Sequence, residues 1–197
     1  MTIEELFQIL LEDKPSTILR ERKEELFAII PELKECDDFD QRSSWHQYCV
    51  LEHIFHVVDN VDPTIELRLA ALFHDIAKPK TFQPDERGRG HFPDHDLKSS
   101  IIFKEFARKH SLNKDLIKEV SILIYYHDLR FYKMDDEELE KWANVFSKEE
   151  IEKIFNLEEA DLLAQSEENH YLLDKYRMQK EKILSKYERS SNNEYHI

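Results

Sequence analysis

Apolar residues recur at helical spacing along nearly the whole chain, and no convincing run of alternating apolar and polar residues breaks that period. The pattern predicts a short helix over 2–11, opened by a capping box of Thr2 and Glu5. A second helix over 15–30 is densely charged on one face and stops before Pro31. Residues 36–44 are polar and acidic and read as a loop, after which a helix over 45–60 holds His46, His53 and His56. Asp62-Pro63 starts the next helix, because Asp can accept orphan amide bonds and Pro loses nothing at the first position. Ile65, Leu69, Leu72, Phe73 and Ile76 give that helix a core-facing stripe. Residues 82–93 contain both glycines and read as an irregular loop. Helices follow over 94–110, 114–128, 135–146 and 148–155, the last behind a second capping box of Ser147 and Glu150. A long final helix runs from 157 toward 187 and frays at Ser190-Ser191-Asn192-Asn193.

Composition supports an all-α fold, since 2 Gly and 6 Pro among many Leu, Ile, Glu and Lys point to helices on short connections. A length of 197 residues suits one core, so a single-domain helical bundle is expected. In it, helices over 1–42 pack on a central unit at 43–166, and 167–197 adds a C-terminal helix and tail. Cys36 and Cys49 match no metal or disulfide spacing, and no signal peptide or run of about 20 apolar residues occurs. A soluble, cytoplasmic protein without a membrane partner is the expectation. The formal charge of −14 argues against a broad nucleic-acid surface, which is normally basic.

The chemistry concentrates at Leu69-Ala70-Ala71-Leu72-Phe73-His74-Asp75-Ile76-Ala77-Lys78-Pro79. A His-Asp pair at the end of an apolar helix loses hydration unless something binds it, and a metal ion suits imidazole and carboxylate together. Asp161 shares a helical face with Ile154, Leu157 and Ala164, so it too needs a cation or hydrogen-bonded partner. His127 ends the apolar face of Leu116, Val120 and Leu123 in the same way. His56, one turn from His53, competes with it as a ligand. His46 is seven residues from His53, about 10 Å along a helix axis, which is too far for one ion but within a substrate's reach.

His53, His74-Asp75 and the distant Asp161 resemble the HD superfamily of metal-dependent phosphohydrolases, which are helical bundles of the phosphodiesterase-like type. Glu52-His53-Ile54-Phe55-His56-Val57-Val58, the 69–79 stretch, and Gly88-Arg89-Gly90-His91-Phe92-Pro93-Asp94-His95-Asp96 are most similar to the HD domain of bacterial tRNA nucleotidyltransferases (CCA-adding enzymes). That similarity runs roughly from 24 to 166, and the signature of the nucleotidyltransferase domain itself is missing. The resemblance implies His53, His74, Asp75 and Asp161 as metal ligands. It implies His95 and His127 as ligands of a second ion, with His91 the rival to His95 and a one-metal site the alternative. It places His56 outside the ligand set, and Asp128 reads as a helix-end or supporting group.

The ion would be Fe, Mn, Ni, Co or Zn, with Mg possible, and one or two would bind. Asp75, bridging them, and Lys78, near the scissile phosphate, are the expected catalytic residues. Lys78, Arg87, Arg89 and His91 are the expected substrate contacts. The implied reaction is hydrolysis of a phosphomonoester, a 2′,3′-cyclic phosphate or a nucleotide by metal-activated water. A nucleotide-sensing module with little turnover is the main alternative, and a helical partner-binding protein with structural histidines is a third.

Overall fold

The computed structural model describes residues 1–193, with side chains through Glu188. Helices α1 (Ile3–Leu10), α2 (Pro15–Glu21), α3 (Lys23–Ile29) and α4 (Glu32–Cys36) precede α5 (Val50–Asn60) and α6 (Ile65–Phe73). The short α7 (Lys78–Thr81) leads into a two-strand ribbon, β1 (Gln83–Pro84) and β2 (Gly90–His91). α8 (His95–Lys109), α9 (Lys114–Tyr126), α10 (Asp136–Val145), α11 (Lys148–Ala164) and α12 (Leu172–Asn193) complete the all-α architecture. The run over 190–193, expected to fray, is helical backbone at the end of α12, and its side chains lie outside the described residues.

α6 sits in the middle, packed against α5, α9 and α11, while α8 lies along α9. Its sequence explains that position: every residue from Leu67 to Phe73 is buried, Arg68 included, and Arg68 reaches the Val58 carbonyl. A helix apolar on nearly all sides is stable only inside the core. One connected cluster of buried side chains runs from Leu6 in α1 through α5, α6 and α9 to Ile183 in α12.

The structure corrects several expected boundaries. The helix expected over 15–30 is broken at Arg22, where ψ moves to 27°, and no Pro or Gly announces the break. A short helix, α4, not foreseen in the sequence, precedes the expected 36–44 loop and shares only Cys36 with it. α6 is capped by the Thr64 side chain, which accepts from Leu67 N–H, and not by Asp62. Residues 45–49 are not helical, because their backbone and side chains bond to another segment. Trp45 O accepts from Ser166 N (2.9 Å) and Asn169 Nδ2 (3.3 Å), and Gln47 Nε2 donates to Gln165 O (3.0 Å). The same bonds end α11 at Ala164 and separate it from α12, so no helix runs unbroken from 157 to 187. α11 instead continues through Asn156, whose side chain accepts from Asp62 N rather than interrupting its own helix.

The glycine-bearing loop is an antiparallel ribbon pairing Gln83 with His91 and Pro84 with Gly90. Asp85 Oδ1 accepts from the N–H groups of Arg87 and Arg89 and turns the chain, with Gly88 at φ 77°. A Cβ on Gly90 would lie 2.2 Å from Gln41 O, so only glycine lets the ribbon approach that closely.

Candidate metal centre

The turn that ends α6 delivers His74 and Asp75 into the interior, 0% and 1% exposed. A carboxylate buried that far requires positive charge or strong donors beside it. Lys78 Nζ lies 2.6 Å from Asp75 Oδ2 and donates to Gln41 Oε1 at 2.8 Å. His53 from α5 and His74 place Nε2 at 3.3 and 3.2 Å from the same Oδ2. On the other side, His95 at the start of α8 and His127 at the end of α9 place Nε2 at 3.3 and 3.6 Å from Oδ1. Asp161 of α11 closes the first pair, its Oδ1 2.8 Å from His53 Nε2 and 3.9 Å from His74 Nε2. Each oxygen of Asp75 therefore faces its own pair of histidines.

The tautomers follow from the backbone. His74 Nδ1 lies 2.7 Å from Ala71 O, His95 Nδ1 2.9 Å from Phe92 O, and His127 Nδ1 2.7 Å from Ile124 O. A carbonyl oxygen only accepts, so each Nδ1 carries the ring hydrogen and each Nε2 points a lone pair inward. His53 and His74 meet Nε2 to Nε2 at 3.3 Å, and His95 and His127 at 3.2 Å. Lone pairs and carboxylate oxygens converging in a largely buried site repel one another unless positive charge lies among them. Asp75 Oδ1 and His53 Nδ1 are moreover buried without a hydrogen-bond partner among the described residues.

Two groups of candidate ligands result, His53 with His74, Asp75 and Asp161, and Asp75 with His95 and His127. Within each group the ligand atoms lie no more than 4.8 Å apart. Mixed nitrogen and oxygen donors, with imidazoles braced through Nδ1, fit a divalent transition ion.

At these inward nitrogens a proton competes with a metal ion, because the carboxylates favour either positive charge there. Burial pushes the His53 imidazole down, but Asp161 and Asp75 outweigh it and raise its pKa to about 8. The same contest, won by Asp75, raises His127 to about 9, whereas burial prevails at His74 and lowers it. Burial opposes ionisation of Asp75 and Asp161 too, yet the neighbouring imidazoles hold both below the ordinary carboxylate value, with Lys78 helping at Asp75.

Asp75, Lys78, His95, His127 and Asp161 open onto a cavity of about 670 Å³. His95 rather than His91 joins the second group; His91 lies on the cavity wall, 3.6 Å from Asp85. Arg89 lines the cavity with Nε 2.8 Å from Asp85, while Arg87 is exposed and does not line it. His46 corrects an expectation. Because 45–49 is not helical, its ring stands edge-on to His53 with centroids 5.1 Å apart, on the cavity wall and outside both ligand groups. Burial, then the Lys78 charge, lowers its pKa to about 2, so it is a neutral imidazole. His56 turns away and stacks on Tyr48.

Sequence reasoning missed Gln41, which supports Lys78, and Gln165, which donates to Asp161 Oδ2 at 3.2 Å. It also missed Arg130 and Glu158 on the cavity wall. Glu158 carried a legible signal, since it sits one turn before Asp161 on the same helix; Arg130 carried none.

No curated protein matches the chain. The family model described as the HD domain matches residues 46–186, a span that includes His53, His74, Asp75, His95, His127 and Asp161. That span is well over half of the sequence, and the chain belongs to the HD-domain family.

Proposed function

We propose that the protein is a metal-dependent phosphohydrolase that hydrolyses a small phosphate ester, with phosphomonoesters, 2′,3′-cyclic phosphates and nucleotides as the candidate substrates. HD domains are typically metal-dependent hydrolases, and that coarser reading comes with the family. The observation that carries the finer one is Asp75, a single buried carboxylate whose two oxygens face two histidine pairs, three of these rings held by backbone carbonyls with Nε2 turned inward. The words around His53, His74 and His95 support a closer kinship with the HD domain of CCA-adding enzymes. The net charge of −14 and a cavity of about 670 Å³ favour a small ester over a long polynucleotide.

His53, His74, Asp75 and Asp161 would hold one divalent ion, and Asp75, His95 and His127 a second. Bound there, such ions supply Lewis acidity and a water acidic enough to attack phosphorus. The chain's own residues then do the positioning. The Ala71, Phe92 and Ile124 carbonyls lock three imidazoles in one tautomer, and Gln165 steadies Asp161. Lys78, fixed between Asp75 and Gln41, keeps a cation at the cavity wall where phosphate charge develops.

A panel of phosphate esters assayed with added Mn²⁺ or Ni²⁺ tests the reading. Turnover that disappears with chelation and in Asp75→Asn is the expected result. Tight nucleotide binding with no turnover of any ester would make the protein a sensor instead.

A further inference from the structure

Among the cations at the cavity, Arg130 has the least ordinary setting. It follows α9 at the point where the chain reverses, with left-handed backbone (φ 58°, ψ 52°) that is uncommon for a residue bearing a Cβ and is shared here with Asp38, Arg42, Asp94 and Ser111. Glu158, itself buried, holds it there through Oε1, which accepts from Arg130 N–H at 2.9 Å. The side chain is fixed as well. Nε and Nη2 lie 2.6 and 2.7 Å from the two oxygens of Asp128, in a planar fork. Nη1 has no acceptor among the described residues, and the side chain as a whole is 51% exposed on the wall it shares with His127, Asp161 and Tyr132.

The other cavity cations are committed differently. Lys78 is almost wholly buried and engaged by Asp75 and Gln41, and Arg89 stands on the ribbon with its Nε on Asp85. Arg89 too has its N–H on Asp85 and free guanidinium donors, but only Arg130 has its guanidinium plane set by two contacts to one carboxylate while a donor is left over.

We propose that Arg130 is a specificity-determining residue whose free guanidinium edge grips a terminal phosphate, with Asp128 and Glu158 holding it in position. This rests on the phosphohydrolase reading and narrows it to phosphomonoesters. A terminal phosphate has one more free oxygen than a cyclic diester, and a guanidinium on the wall of the cavity that the metal groups open onto gives that extra oxygen a partner. An uncommon backbone conformation retained at a cavity wall fits a residue kept for binding rather than for stability.

Arg130→Gly makes a clean test, because glycine accepts the left-handed backbone and only the side chain is lost. Inorganic phosphate is titrated calorimetrically into Mn²⁺-loaded wild-type and variant protein, metal content is measured, and kcat and KM are determined for a phosphomonoester and a 2′,3′-cyclic phosphate. The expected result is unchanged metal content and phosphate binding weaker by about tenfold or more, as for one lost charge-assisted hydrogen bond. KM for the monoester rises by a similar factor and KM for the cyclic diester much less, and Arg130→Lys falls between wild type and Arg130→Gly. Equal phosphate affinity in wild type and Arg130→Gly would overturn the assignment, as would loss of bound metal in the variant. Because phosphate binding is read without turnover, a wild-type protein that binds phosphate through Arg130 yet hydrolyses no ester would overturn only the enzymatic reading. Wild-type protein that binds no phosphate would overturn both.

Discussion

Asp75 and Glu158 are both buried carboxyls, and their surroundings drive them in opposite directions. Imidazoles and Lys78 hold Asp75 ionised, whereas burial and the nearby Asp128 push the Glu158 carboxyl well above its ordinary value of 4.5. Folded protein therefore keeps the Glu158 proton at pH values where the unfolded chain has lost it. The resulting stabilisation is complete below pH 4.5 and is lost as pH rises toward the folded-state pKa. Glu158→Gln retains the acceptor for Arg130 N–H and removes the titration. Its stability relative to wild type, from urea denaturation at several pH values, should increase with pH; a difference that stays flat would contradict the assignment. At the second histidine pair, His95→Gln should lower bound metal without abolishing it, because the His53, His74, Asp75 and Asp161 group stays whole. Metal content equal to wild type would remove His95 from the ligand set.

Elements matter here through their ends. α5, α6, α8, α9 and α11 each bring a candidate ligand to the centre, and on α6, α8 and α9 that residue stands at or just beyond a terminus. Helical period and the ordered His and Asp words made the convergence of these residues legible in the sequence, because amphipathic faces point where the core is. The wall of the cavity was much less legible. His46 approaches His53 because Ser166 and Asn169 capture the Trp45 carbonyl, a pairing more than a hundred residues distant that no local pattern encodes. Arg130 arrives through a chain reversal held by Glu158, equally invisible to period and motif. The 82–93 loop concealed a ribbon because its strands are only two residues each. That ribbon gives a prediction of its own: Gly90→Ala would force a Cβ against Gln41 O, displacing the segment that steadies Lys78. A lowered Tm together with reduced activity is expected. A variant indistinguishable from wild type would show that the close approach has no consequence.

Over the whole molecule, one core ties the N-terminal helices to the centre, and its state can be read from a thiol. Cys36 is fully buried, with Sγ 3.5 Å from Ile76 O, and burial raises its pKa, while Cys49 is partly exposed. A thiol reagent should modify Cys49 in the native protein and reach Cys36 only on unfolding; equal rates would mean that the N-terminal helices open readily. No helix among the described residues is long and apolar enough to cross a membrane. Distant parts of the chain converge around Asp75, and every role proposed above requires that they bind divalent metal there. Elemental analysis of protein purified without chelator and equilibrated with Mn²⁺, compared with Asp75→Asn, tests that most directly. Wild type should retain tightly bound divalent metal and folded Asp75→Asn should lose it; equal metal in the two proteins, or none in wild type, would contradict the account.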